Sequence, residues 1–148
     1  MQIESIMVVP AGVARRATLL EELSAAGWSQ VLEVAPSADV MAEIRAQLPT
    51  VVILDLGVPD PASLARAFRV ARDCGRPTVV FVDRTDESAI EDAIEAGVAT
   101  YVVGGLSRGR IRPIVETAVS RFRMFEKLRR ERDDAVSAMS AFFRPIGR

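Results

Sequence analysis

Few side chains in this sequence can do chemistry, and the missing types are as informative as the present ones. The chain has no histidine. That excludes a Ser-His-Asp triad, a His-ligated metal and imidazole acid–base catalysis. One cysteine, Cys74, leaves no internal disulfide and no Cys-based zinc cage. It precedes Gly75 at the end of a helix-like stretch, has no imidazole to activate it, and reads as a packing residue. What remains are carboxylates at the ends of apolar runs. Asp55 closes Val51-Val52-Ile53-Leu54, and Asp83 follows Thr78-Val79-Val80-Phe81-Val82. The turn Val9-Pro10-Ala11-Gly12-Val13-Ala14 is neither GxGxxG nor a P-loop. Without close-approach glycines and a phosphate-binding lysine, a dinucleotide or P-loop enzyme is not expected.

Those carboxylates need elements to hold them. Apolar runs at 3–9, 31–34, 51–55, 78–82 and 100–103 read as five strands. Helical spacing is expected over 13–26, 38–48, 61–74 and 88–96. Ser37 is a candidate cap for the second helix and Pro49 its stop, while Gly27, Gly75 and Gly97 stop the others. A long helix follows Gly104-Gly105, with Ser107 as a candidate cap and Pro113 near its start. Continuous rather than alternating apolar strands imply a sheet covered on both faces. Five strands separated by helices imply a doubly wound α/β fold with a five-stranded parallel sheet. Such sheets place function at the carboxyl ends of their strands. Here those ends carry Pro10-Ala11, Pro36, Asp55, Val82-Asp83 and Gly104-Gly105.

The 148 residues suit one domain with a short appendage, and 49% apolar with 26% charged residues is a globular balance. Net charge is -1, but it is unevenly spread. Residues 1–120 carry 11 basic and 16 acidic side chains, whereas 121–148 carry 8 basic and 4 acidic. A basic tail suggests RNA as an alternative partner, although acidic residues interleave it at helical spacing. No apolar run reaches the ~20 residues of a membrane span, and the start has no secretory pattern, so a cytoplasmic setting without membrane contact is expected.

The passages 92–101 (Asp-Ala-Ile-Glu-Ala-Gly-Val-Ala-Thr-Tyr) and Asp55 with Pro59 four residues later resemble the response-regulator receiver domain over about residues 1–120. Pro77 to Asp86, Ala93 to Val98, Tyr101 to Ser107 and Arg121-Phe122-Arg123 resemble the ANTAR-type antiterminator regulators, the NasT-like nitrate-assimilation group in particular. The resemblance implies a receiver fold, a phosphoacceptor position at Asp55 and a switch aromatic at Tyr101. It also implies a sensor or regulatory protein as partner. The family continues past its long helix into a three-helix RNA-binding unit. The sequence here stops at Arg148, with residues 121–148 forming a helical extension, so RNA contact is expected to be weak or to require that unit.

The departures from the family fall on its chemical parts. The acidic pair that holds Mg²⁺ is replaced by Pro10 and Ala11, the strand-four hydroxyl by Val82, and the strand-five lysine and proline by Gly104 and Gly105. An Asp83 that projects toward Asp55 would add a like charge opposing a phosphate there. Mg²⁺ needs several oxygen ligands, and phosphoryl transfer needs its charge neutralised. The expectation is therefore a degenerate receiver: no enzyme, no cofactor and no metal. Its role would be protein–protein interaction in a two-component or antitermination pathway. The alternatives are RNA binding by the basic helix and ordinary phosphorylation at Asp55.

The long helix carries Ile114, Ala118, Phe125, Leu128, Ala135, Met139 and Phe142 at alternating spacings of four and three, with Arg121 and Arg132 interrupting. This is a coiled-coil-like seam. A helix from Ile111 to Phe143 would be ~50 Å long and must leave a body of about 35 Å. A homodimer through Ile114, Ala118, Phe125, Leu128, Met139 and Phe142 is expected.

Overall fold

The computed structural model describes residues 2–142, apart from the side chains of Val13, Ala14 and Phe142. Strands β1 (Ile6–Val9), β2 (Val31–Glu33), β3 (Val51–Gly57), β4 (Thr78–Val82) and β5 (Thr100–Val103) alternate with five helices. These are α1 (Val13–Ala25), α2 (Val40–Gln47), α3 (Pro61–Asp73), α4 (Glu87–Glu95) and α5 (Ile111–Phe142). All strands pair in parallel, in the order β2-β1-β3-β4-β5. This is the expected doubly wound arrangement, in which the reversal beside β1 opens a crevice at the strand ends.

The apolar strand runs feed two cores because successive side chains leave a strand on opposite faces. Ile6, Val8, Ile53 and Phe81 pack with Leu19 and Leu23 of α1 and with Ile111, Val115, Ala118 and Val119 of α5. Met7, Val9, Val52, Leu54 and Val80 pack with Ile44 of α2 and with Ala67 and Val70 of α3. A smaller cluster of Phe68, Ala93 and Ala96 joins α3 to α4.

Local chemistry sets the element ends. The cap of α2 is Asp39, which accepts the Ala42 amide at 3.1 Å, and not the expected Ser37. Ser37 falls in the turn closed by Ala38 N–H to Ala35 O, two residues too early. Asp60 and Ser63 form a reciprocal capping box on α3, with Pro61 at its first position. The Ser63 amide holds the Asp60 carboxyl below its usual range, so this cap contributes fully above ordinary carboxylate pH and is lost only as pH falls through the lowered value. Asp86 caps α4 through the Ala89 amide at 2.8 Å. Helix α5 starts at Ile111 with Pro113 in its first turn, and Ser107 lies too early to cap it, its carbonyl accepting the Arg110 amide in a turn instead.

Strand β1 begins at Ile6, not Ile3, because the Thr50 hydroxyl takes the Glu4 amide and Ser5 O accepts from the Thr50 amide. Leu48 ends α2 in the left-handed region at φ 51°, ψ 56°, while 62% exposed. A side chain there strains the backbone with little burial in return. Leu48→Gly should therefore stabilise the chain by about 1 kcal/mol. A higher urea midpoint at unchanged slope would show it, and a lower midpoint would contradict it.

Helix α5 spans 32 residues, ~48 Å at 1.5 Å per residue. Its first turns belong to the body, as Ile111, Val115, Ala118 and Val119 are buried against the sheet. Beyond Arg123 the described side chains are exposed except for a half-buried Glu126. The expected seam is corrected at its start. Ala118 is fully buried within its own chain and Ile114 packs on the same core, so the sheet has already taken them. Phe125, Leu128 and Met139 stand exposed on the protruding part. The Phe142 side chain and Phe143 lie outside the described residues.

Candidate functional site

Asp55 is expected at the end of β3, but the strand runs two residues further. The register slips between Asp55 and Gly57, so Leu56 is an extra residue opposite β4. Gly57 sits at φ 62°, and a Cβ there would lie 3.3 Å from Ala11 Cβ. Its amide donates to Asp55 Oδ1 at 3.1 Å, and its carbonyl accepts from the Asp83 amide at 2.7 Å. These two bonds tie the two aspartate loops together.

The main partner of Asp55 is a residue that strand-end reasoning overlooks. Arg15 reaches from the first turn of α1, donating Nε–H to Asp55 Oδ2 at 2.6 Å. Its Nη1 lies 2.9 Å from Asp83 Oδ1. The Asp55 side chain is 3% exposed, while those of Arg15 and Asp83 are about a third exposed. One guanidinium therefore bridges both carboxylates. The hydrogen bond from Arg15 to Asp55, with the charges of Asp55 and Asp83, holds the Arg15 pKa above the ordinary arginine value. The stabilisation is complete below that ordinary value, so the guanidinium stays charged throughout the working pH range. The expected repulsion of Asp55 by Asp83 is thus compensated by a cation between them.

A sequence signal for Arg15 did exist. Arg15 and Arg16 both lie in the first turn of α1, where the helix dipole disfavours cations. Each is paired with a carboxylate, Arg16 with Glu33 of β2. The sequence alone does not tell which carboxylate each one meets.

The remaining predicted residues lie around this bridge. Pro10 is buried at the end of β1 and Ala11 is exposed beside Gly57, and neither offers a side-chain oxygen. Val82 is fully buried in the core toward α2 and α3. Gly104 and Gly105 take left-handed backbone at φ 93° and 85°, a turn that favours glycine, and present no side chain to the site. They border a cleft of about 330 Å³ whose other walls include Arg15, Leu19, Asp55 and Asp83. Tyr101 lies outside this cleft, between α3 and α4. Its ring centroid is 6.2 Å from that of Phe68, and its hydroxyl is 2.9 Å from Thr85 Oγ1. Cys74 packs half-buried, with Sγ 3.5 Å from Arg76 O.

The donor set does not fit the Mg²⁺ that a receiver resemblance implies. Two carboxylates are present, but a guanidinium occupies the space between them, and the positions for further oxygens are Pro10 and Ala11. Among the described residues no three His, Cys, Asp or Glu side chains cluster as metal ligands.

No family model matches the chain. It is 29% identical over 116 residues to the transcriptional regulatory protein PdtaR of Mycobacterium tuberculosis H37Rv, covering 78% of this chain and 57% of that protein. The chain thus spans little more than half the length of this relative. The fold matches the signal receiver domain of a modulated diguanylate cyclase from Desulfovibrio desulfuricans G20, with TM-score 0.68, 17% identity and coverage of 83% of this chain and 98% of that one. It also matches a CheY-like response regulator receiver domain from Methanospirillum hungatei JF-1, with TM-score 0.67, 14% identity and the same coverages, 83% and 98%. The fold is therefore the one that receiver domains share, as the sequence resemblance implies. No described helix is long and apolar enough to cross a membrane.

Proposed function

We propose that this receiver-fold chain is a non-catalytic signalling module. It accepts no phosphoryl group and acts through protein–protein contacts in a two-component or transcription-antitermination pathway. The observation that carries the reading is the Arg15 bridge. The internal cation engages both carboxylates that could take part in phosphoryl chemistry, while Pro10, Ala11, Val82, Gly104 and Gly105 supply none of the groups that would orient and neutralise the phosphoryl oxygens. Losing one such donor costs ~3–4 kcal/mol of transition-state stabilisation, and several are missing together. The relative named a transcriptional regulatory protein supports the regulatory setting. The partners in this reading are a sensor or regulatory protein and a second copy of the chain, held through the protruding part of α5.

Incubating the chain with acetyl phosphate and millimolar Mg²⁺ should leave its intact mass unchanged. The amide signals of residues 55–57 and 83 should not respond to Mg²⁺ in an NMR titration. A stoichiometric phosphoryl adduct at Asp55, or a saturable shift at these amides, would overturn the proposal.

A further inference from the structure

On the opposite side of the sheet from the Arg15 cleft, α2 and α3 leave a groove of about 390 Å³. That volume lies in the range of ligand-binding clefts. Its floor and walls are mainly apolar, with Val9, Leu54, Val40, Met41 and Val70 prominent, and Asp39 and Asp55 also line it. Arg66 and Arg69 stand exposed at its edge. Arg72 continues the i, i+3 row along α3, and Arg76 follows past its end. Arg66, Arg69 and Arg72 spread over six residues of helix, ~9 Å.

The carboxylates nearest the groove have hydrogen-bond partners inside the chain, though Asp39 and Asp60 keep their charge. Asp39 Oδ1 caps α2, Asp60 Oδ1 caps α3 while lying in the field of Arg66, and Asp55 is held by Arg15 and Gly57. Asp73 is the single acidic residue of α3 and sits at its last position. Among the described residues, none of the four arginines takes part in an ion pair. A largely apolar groove bordered by exposed arginines that form no ion pair is complementary to a segment with apolar anchors and acidic flanks.

We infer that the α2–α3 groove docks an acidic amphipathic helix of a partner protein. The length of the arginine row exceeds what one small anion would engage. The apolar lining suits side-chain anchors at helical spacing, the helix-in-groove mode. A nucleic acid is disfavoured because residues 1–120 carry 16 acidic against 11 basic side chains, which repel a long polyanion. A short acidic helix feels mainly the local row, since charges beyond ~8 Å are screened at physiological ionic strength. This docking does not depend on whether the chain dimerises; Asp55 lines the groove floor as well as the Arg15 cleft, so the test is made on the unphosphorylated chain.

The test uses a fluorescein-labelled synthetic helix with leucines at i, i+4 and i+7 and glutamates elsewhere, titrated with the full chain and read by anisotropy. Saturable one-to-one binding in the micromolar range is expected, weakening as salt rises. Arg66→Gln with Arg69→Gln should weaken it roughly tenfold or more, and Met41→Glu should do the same from the apolar side. Lys127→Gln with Arg130→Gln, an equal charge loss on α5, should leave binding within about twofold. Replacing the peptide's glutamates by lysines should abolish it. Circular dichroism melts confirm that the variants fold, which the exposure of Arg66 and Arg69 favours. Absence of saturation at millimolar protein, unchanged affinity in the Arg66/Arg69 variant, or tighter binding of a single-stranded RNA that displaces the peptide would overturn the inference.

Discussion

At tens of micromolar the native chain is expected to sediment as a dimer, and a chain carrying Phe125→Ala and Leu128→Ala as a monomer. Met124, Phe125, Leu128, Val136 and Met139 are each more than half exposed on a helix that has already left the body. Residues 123–141 project ~28 Å beyond the last core contacts. Such a stripe is a poor surface for a lone helix in water and a good one for a second copy, because Phe125, Leu128, Ala135 and Met139 keep the heptad spacing, with Arg132 between them. Truncating a packed Phe or Leu to Ala costs ~2–5 kcal/mol. Even about 4 kcal/mol for the pair is on the order of a thousandfold in dissociation constant. Ending the chain after Arg123 should give a folded monomer, since the buried described residues all precede it. Sedimentation of the three proteins at tens of micromolar tests the proposal, and a native chain that runs as a monomer there refutes the seam.

Arg15→Ala is expected to destabilise the body by about 2–3 kcal/mol in urea denaturation. Removing one partner of a fully buried ion pair costs ~3–5 kcal/mol, because the other charge is left desolvated. Asp55 is that desolvated charge, but Arg15 keeps a third of its surface in water and Gly57 still donates to Asp55, so the lower figure applies. The bridge is geometric as well as electrostatic. Arg15→Lys should recover part of the loss, since an ammonium cannot present two separated N–H donors in one plane. Removing the guanidinium also leaves two carboxylates that share one space. Millimolar Mg²⁺ or Mn²⁺ should then raise the melting temperature of Arg15→Ala while leaving the native chain unchanged. Equal stability of all three proteins would mean that the bridge has no energetic role. An equal cation response in the native chain would mean that Arg15 does not guard the site.

Most of the fold was legible from apolar runs. The strands at 51–54 and 78–82 are continuous and rich in β-branched residues, and their burial on both faces follows from that composition. Helix ends were legible where glycine or proline marks them. They were misplaced by two residues at α2, where Ser37 and Asp39 compete as caps and only the path of the chain decides between them. The long α5 was legible from the absence of breakers. The division of its apolar face was not, since Ile114 and Ala118 follow the same heptad as Phe125 and Leu128 yet pack on the sheet. A repeat shows that a face is apolar, not where along the helix the body stops covering it.

At the candidate site, residue types alone determined what is missing. Pro10, Ala11, Val82, Gly104 and Gly105 lack the side-chain groups of a phosphoryl site in any conformation, because composition at a position is independent of folding. Tertiary structure decided what stands there instead. Arg15 is 40 residues from Asp55 in the chain, and no local pattern links them. They meet because parallel pairing of β1 with β3 places the first turn of α1 over the end of β3, and Asp55 alternates with Val51 and Ile53 onto the sheet face that α1 covers. The same sheet puts the helices of the Arg15 cleft and of the arginine-edged groove on opposite faces, and the two cavities meet only at the strand end, where Asp55 lines both. Which cations are spent inside the fold and which remain for a partner is therefore a property of the assembled sheet.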